Sequence, residues 1–162
     1  SERMVTVDTW GGLFFTLVLI ALVPAVGEEL FFRGIIQQLL QSKMGAHLAV
    51  WTTALIFSFI HFQFYGFIPR MLLGAWLGYL LVWGGSLWYP VIAHFINNAT
   101  VVLFYFADRK GWISIDLETL GDKATSMYGY LSIITVAMLL AILQRRFYKL
   151  KRKSGPAFPD NE

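Results

Sequence analysis

The stretch "GGLFFTLVLIALVPAVGEELFFRG" (11–34) decides how the rest of the chain is interpreted. Its first sixteen residues contain no charged side chain, and the next eight, "GEELFFRG", contain two carboxylates and an arginine. A helix that spans the ~30 Å hydrocarbon core of a bilayer needs roughly 20 predominantly apolar residues. The stretch therefore predicts a membrane-spanning helix, and it raises the question of why ionisable residues lie within it.

The composition of the 162-residue chain favours a membrane protein. Apolar residues make up 57% and charged residues 14%, and the mean hydropathy is +0.59. Soluble domains carry about 25% charged residues, and far fewer than that cannot cover a surface in water. The absence of cysteine excludes disulfide scaffolds, thiolate metal sites and cysteine nucleophiles.

Five continuous apolar segments predict an all-α, multi-pass transmembrane bundle of about five spans. They cover about 10–26 (running on to about 43), 46–65, 67–83, 87–106 and 127–143. A membrane β-barrel would need shorter segments of alternating polarity instead. We expect a membrane-embedded core over residues 1–153 and a disordered tail over 154–162.

The basic run "RRFYKLKRK" (145–153) sets the expected orientation, because it contains six of the 13 Lys and Arg residues and directly follows the last apolar segment. Such runs mark the cytoplasmic side of membrane proteins and meet anionic lipid. We interpret it as a lipid-contacting end and not as a nucleic-acid site. The predicted location is a bacterial inner membrane, with the C-terminus in the cytoplasm.

Ionisable side chains inside spans are costly, at roughly 2.5–3.5 kcal/mol each at a helix centre. Glu29 and Arg33 are spaced i, i+4, which places them on one helix face and predicts a structural ion pair. Glu28 lies about 100° away around the helix and has no cation three or four residues from it. A carboxylate in this setting is suited to act as a general base.

Two histidines and two asparagines add polar groups to other spans. His94 and Asn98 are also spaced i, i+4 and form a polar stripe, with Asn97 as an alternative member. The alternative to a functional role is a hydrogen bond between helices, which contributes ~0.6 kcal/mol to the stability of a membrane protein. His61 follows Phe57 by four residues, so it is either a packed core histidine or part of a site.

The positions of these residues along their segments leave one difficulty. His61 lies about 16 residues into its segment and His94 about 7 into its own, an offset of roughly 13 Å that tilt or ragged helix ends must absorb. Arg70, beside Pro69 at the start of a segment, can snorkel to the interface, and we assign it no chemistry.

Together these residues form a set suited to hydrolysis. Glu28, aided by His61, would deprotonate a water molecule, while His94 and Asn98 would donate hydrogen bonds to the oxyanion of the tetrahedral intermediate. A zinc site is the competing interpretation, but there is no HExxH motif and the polar residues are spread over several helices. We therefore expect no metal and no cofactor.

Three motifs in chain order carry a resemblance to a known family: "EELFFR" (EExxxR, from residue 28), "FSFIH" (FxxxH, from 57) and "HFINN" (HxxxN, from 94). Over about residues 10–145 the chain resembles the CAAX-protease and bacteriocin-processing family of intramembrane glutamate proteases, which includes the Ras-converting CAAX endopeptidases. Members usually have further spans before the EExxxR helix. The chain is therefore expected to be the catalytic core of a longer protein.

The resemblance implies a role for each matching residue. Glu28 would be the catalytic base, His61 would assist it, and His94 and Asn98 would form the oxyanion hole. The supporting residues would be Glu29 and Arg33, to which we add Phe57 and Asn97. The implied activity is a metal-independent endopeptidase that cleaves a peptide or lipidated protein in the membrane, such as the C-terminus of a prenylated protein.

Two other functions stay open on the sequence alone. A non-enzymatic membrane scaffold or bacteriocin-immunity protein would use the same motifs to hold its architecture. A transporter or proton relay would use Glu28 and the histidines as a titrating chain. The sequence shows no interrupted helices at matching positions in two halves, which counts against a transporter. It indicates no oligomeric state.

Overall fold

The computed structural model describes residues 9–62 and 66–112, and within them the chain forms four helices. These are α1 (Trp10–Met44), α2 (Ala46–Phe59), α3 (Phe67–Gly84) and α4 (Trp88–Arg109). The prediction of an all-α, multi-pass bundle is confirmed for this part. The predicted fifth segment, the basic run and the C-terminal tail lie outside the described residues.

Three of the four helices, α1, α3 and α4, are long and apolar enough to cross a membrane. Helix α2 has only 14 residues and is about 21 Å long, less than the ~30 Å thickness of the hydrocarbon core. Large apolar side chains on these helices are exposed, such as Phe14 at 71% and Val101 at 67%. Surfaces of this kind suit contact with lipid.

The predicted second segment, 46–65, is longer than the helix, which ends at Phe59. The end is set by a side chain, because Nδ1 of His61 lies 2.7 Å from the Phe57 carbonyl oxygen, where a continuing helix would place the His61 backbone N–H. Phe62 then has a φ of 49°, in the left-handed region. The apolar pattern alone does not indicate this turn, because it contains neither glycine nor proline.

Helix α1 has irregular hydrogen bonding on both sides of its carboxylates. Two π-helical stretches, Leu17–Leu22 and Leu30–Ile36, flank the α-helical turns of Val23–Glu29. A π-helix places one more residue in each hydrogen-bonded turn, and such stretches occur frequently at functional sites. Pro24 and Gly27 both lie in the α-helical part, and the two π-helical stretches lie on either side of it.

The four helices alternate in direction. Gly74 and Gly78 of α3 pack against Ala54 and Val50 of α2, so these two helices run antiparallel. Leu13 near the start of α1 packs in one cluster with residues near the end of α4, and α4 is antiparallel to α1 as well. Since α1 and α3 run parallel, as their hydrogen bonds show, helices α2 and α4 run in the same direction.

Two polar side chains of α1 bind backbone carbonyl groups of α3 and set the register between these helices. Nη2 of Arg33 donates to the carbonyl oxygen of Gly74 at 2.9 Å, and Nε2 of Gln37 donates to that of Gly78 at 3.1 Å. Both pairs advance by four residues, so α1 and α3 run parallel. A Cβ on Gly78 would lie 2.8 Å from Oε1 of Gln37, so the absence of a side chain at this position makes room for the glutamine.

Candidate active site

A cavity of about 440 Å³ lies between the helices, and residues of all four helices and of the turn after α2 line it. All four predicted catalytic residues lie in its wall: Glu28, His61, His94 and Asn98. The predicted supporting residues Phe57 and Asn97 line it too, as do Ile20, Pro24, Arg70, Leu73, Val101 and Val102. Since a water molecule occupies about 30 Å³ in the liquid, the cavity is large enough to hold several.

The two adjacent glutamates have different environments. Glu29 is completely buried, and its Oε1 lies 2.8 Å from Nη1 of Arg33 and 2.7 Å from Nδ1 of His94. The ion pair expected from the i, i+4 spacing is therefore present, and it is completely buried on both sides. Glu28 has 31% of its side chain exposed and faces the cavity. Of the two carboxylates, Glu28 is the one that water can reach.

Three groups of the protein contact the Arg33 guanidinium and replace the water that it loses on burial. One nitrogen binds Glu29 and another binds the carbonyl oxygen of Gly74. The guanidinium carbon also lies 4.9 Å from the centroid of the Phe57 ring, a cation–π distance. Phe57 is thus a structural partner of Arg33 as well as a cavity residue.

The bond between His61 and the Phe57 carbonyl constrains the chemistry of the imidazole. A carbonyl oxygen only accepts hydrogen bonds, so Nδ1 of His61 must carry the proton in their 2.7 Å contact. In the neutral ring the other nitrogen, Nε2, then holds the lone pair. The Phe57 ring packs edge-on against this imidazole, with the ring centroids 4.9 Å apart, and holds its position.

His94 bridges the two glutamates. Its Nδ1 lies 2.7 Å from Oε1 of Glu29, and its Nε2 lies 3.9 Å from Oε2 of Glu28. The ring is 4% exposed, so its orientation is fixed by the Glu29 contact. Sequence reasoning missed this contact because it joins α1 to α4 across 65 residues, and spacing rules pair residues only within one helix.

Asn98 is orientated by its neighbour. Nδ2 of Asn97 donates to Oδ1 of Asn98 at 3.2 Å, and both side chains line the cavity. Because the oxygen of the Asn98 amide already accepts a bond, its NH₂ group is the end suited to donate to a ligand. The sequence left Asn97 and Asn98 as alternatives for the polar stripe, and the structure places both in the cavity wall.

The two histidines lie against the same aromatic side chain in spite of their different positions along the segments. The Phe57 ring contacts both, with centroid distances of 4.9 Å to His61 and 6.1 Å to His94. The offset expected from the segment positions therefore does not keep the two rings from contacting one common side chain.

Two further observations bear on the expectations from sequence. Within residues 9–62 and 66–112, no group of three or more His, Asp or Glu side chains is arranged to hold a metal ion, so the zinc interpretation has no three-ligand set there.

Arg70, to which we assigned no chemistry, lines the same cavity as Glu28. Its position beside a proline at a helix start gave no signal of this.

Comparison with known proteins gives the family. The model of the family described as "Type II CAAX prenyl endopeptidase Rce1-like" matches residues 10–100, more than half of the chain. The chain is also 33% identical over 87 residues to a Bacillus subtilis (strain 168) protein described as "Uncharacterized protein YpbD". That match covers 51% of this chain and 42% of the relative, so the chain spans less than half of that protein. No solved structure matches the chain.

The resemblance expected from the three motifs is confirmed, because the matched range contains all of them. Helices α1 and α4, which contain the first and the third motif, also have the length and composition of membrane spans. The chain is an integral membrane protein that belongs to the Rce1-like family of type II CAAX prenyl endopeptidases.

Proposed function

We propose that the protein is an intramembrane endopeptidase in which Glu28 activates a water molecule to cleave a peptide bond. The observation that carries this proposal is the contrast between the two glutamates. Glu29 is fully buried and engaged by Arg33 and His94, whereas Glu28 is part-exposed in a cavity with room for water. A general base must reach the proton that it removes, directly or through one water.

His61 would assist Glu28 in this step. Its Nδ1 is committed to the Phe57 carbonyl group, so the neutral ring has Nε2 as an acceptor for a proton of the attacking water. A base and an acceptor that both line one cavity can orient the same water molecule. Turning the ring over would break the 2.7 Å bond, which favours a single orientation.

His94 and Asn98 would stabilise the oxyanion. Since Nδ1 of His94 binds Glu29, a hydrogen bond to the oxyanion would come from Nε2, and the ring must then carry protons on both nitrogens. The NH₂ group of Asn98 would supply the second donor. Preorganised donors of this kind are worth about 10²–10³ in rate each, judged by their removal from other enzymes.

The proposed reaction needs no covalent intermediate with the protein. The water oxygen adds to the carbonyl carbon of the scissile bond as its proton passes to Glu28, and the carbonyl oxygen becomes the oxyanion. The C–N bond then breaks, and the proton held by Glu28 passes to the leaving amine. A new carboxylic acid and a new amine result, so the atoms and charges balance.

We propose a peptide or a lipidated protein in the membrane as the substrate. The description of the matching family names a CAAX prenyl endopeptidase, and the walls of the cavity combine apolar side chains with the polar set. Membrane lipid would be the other partner of the exposed apolar surface. We further propose a bacterial inner membrane as the location, with the basic run 145–153 in the cytoplasm.

The experiment that tests this function uses detergent-purified protein and a panel of C-terminal peptides, prenylated and unprenylated, with and without a chelator. We expect cleavage of at least one peptide class at a rate that the chelator leaves unchanged. Loss of cleavage on chelation, restored by zinc, would revive the zinc interpretation. No cleavage across the panel would favour a scaffold or immunity protein, and pH-dependent flux in proteoliposomes would favour a transporter.

A further inference from the structure

The hydroxyl group of Ser58 links the end of α2 to the start of α3. Ser58 is completely buried, and its Oγ donates to the carbonyl oxygen of Phe67 at 2.6 Å, nine residues further along the chain. A serine inside a helix often bonds a carbonyl group of its own helix instead, as Ser42 does with Leu39 at 2.8 Å. The bond from Ser58 therefore spans the connection between the two helices, residues 60–66.

Ser58 is the last of three buried residues of α2 that share one face of the helix. Val50, Ala54 and Ser58 are spaced by four residues, which places them on the same side. The first two pack against Gly78 and Gly74 of α3. These two apolar contacts hold the helices together, and the serine bond is the contact of this face that lies nearest to the connection.

His61 belongs to this connection, and its ring is held from the end of α2. Its Nδ1 donates to the carbonyl oxygen of Phe57 at 2.7 Å, and Phe57 directly precedes Ser58. The residue after the histidine, Phe62, has a left-handed φ of 49° and is 86% exposed, so its burial does not hold the turn. The position of the imidazole therefore depends on Phe57 and on how the connection is closed.

We propose that Ser58 is a positioning residue for the reaction, because its bond to Phe67 fixes the connection so that the His61 imidazole stays against the Phe57 carbonyl group, with Nε2 available to the attacking water. Ser58 is not among the described residues that line the cavity, so it acts through His61 and not on the substrate. This inference rests on the proposed function and deepens it. A displacement of about 1 Å at a catalytic group can lower a rate by about 10²-fold, so a residue that fixes such a group contributes to the rate.

The kinetic test uses Ser58→Ala, which removes the hydroxyl group and no other atom of the side chain. The Phe67 carbonyl group lies at the first residue of α3 and also accepts a helical bond, so the variant should fold. We expect kcat for a cleaved peptide to fall about 2- to 10-fold, the range that one neutral hydrogen bond allows, while KM stays close to wild type. In a His61→Ala background the same change should alter kcat by less than about twofold, because no imidazole is left to position.

A measurement on the ring itself separates this inference from the proposed function. In protein with isotope-labelled histidine, nitrogen chemical shifts show which ring nitrogen carries the proton, and a His61→Ala sample identifies the His61 signals. Neutral His61 in wild-type protein should be in the Nδ1–H form, because the Phe57 carbonyl group only accepts. In Ser58→Ala we expect a mixture with the Nε2–H form. This mixture, without any cleavage by wild-type protein, would contradict the proposed function and keep the inference that Ser58 holds the ring.

Two control variants leave the connection unchanged. Ser42→Ala is the same chemical change at an exposed hydroxyl group that bonds its own helix. Val50→Ala removes a buried contact with Gly78 about two turns earlier in α2, so it weakens the same helix pair away from His61. Both should keep the His61 form and the kcat of wild-type protein.

Three results would overturn the inference. The first is an unchanged proton position on His61 in Ser58→Ala. The second is a fall in kcat that is equally large in the His61→Ala background. The third is the same fall in Val50→Ala, because a residue that only supports the fold would act in the same way.

Discussion

Glu29→Gln should destabilise the protein far more than the same change at the preceding residue, Glu28. Glu29 is completely buried, and one oxygen accepts from both Arg33 and His94, at 2.8 and 2.7 Å. Breaking a buried ion pair by removing one partner costs about 3–5 kcal/mol because the other charge stays buried. Glutamine keeps an acceptor oxygen but no charge, so we expect a loss of about 3 kcal/mol.

Glu28→Gln is the matched control, since it is the same chemical change one residue away. The Glu28 side chain is 31% exposed, and its nearest ionisable contact is Nε2 of His94 at 3.9 Å. Part-exposed ion pairs of this kind contribute at most about 1 kcal/mol. The free energy of unfolding should therefore fall by about 1 kcal/mol or less in this variant.

The free energies of unfolding can be measured by titration of the detergent-purified protein with a denaturing detergent, with helical circular dichroism as the signal. The double variant Glu29→Gln/Arg33→Met removes both charges of the buried pair. It should be more stable than the sum of the single losses predicts, by as much as about 3 kcal/mol. Equal losses at the two glutamates, or strict additivity in the double variant, would refute the idea that the Glu29–Arg33 pair is the structural one.

The remaining predictions concern packing and the second proposed base. Gly78→Ala would place a Cβ 2.8 Å from Oε1 of Gln37 and 3.0 Å from Val50, which should cost about 1–3 kcal/mol, whereas Gly11→Ala, with nothing within 4 Å, should not destabilise the protein. Equal unfolding midpoints for these two variants would contradict the close packing of α3. His61→Ala should lower kcat by about 10²-fold or more, as measured in the peptide cleavage assay, while the helical signal is retained. A kcat within threefold of wild type would remove His61 from the mechanism.

The local features of the fold follow from the sequence because they depend on neighbours along the chain. The apolar run from residue 11 predicts helix α1, and the i, i+4 spacing predicts the pairing of Glu29 with Arg33. Both are present in the structure. Three motifs in chain order carried the family resemblance, and that resemblance implied that the polar residues share one site. They line one cavity in the structure.

The contacts between helices were not predictable in the same way. The bond from His94 to Glu29 and the bonds from Arg33 and Gln37 to backbone carbonyl groups depend on how the helices are orientated. One signal was available, since Arg33 and Gln37 share the four-residue spacing of the two small residues Gly74 and Gly78. The end of α2 depended on a single side-chain bond, which periodicity does not encode.

The most direct test of the central claim is the rate at which purified Glu28→Gln protein cleaves a peptide that the wild-type protein cleaves. Loss of the general base should reduce kcat by about 10²- to 10⁴-fold, while peptide binding and the unfolding midpoint stay close to wild type. Cleavage by Glu28→Gln within tenfold of the wild-type rate would contradict the claim that this carboxylate activates the water.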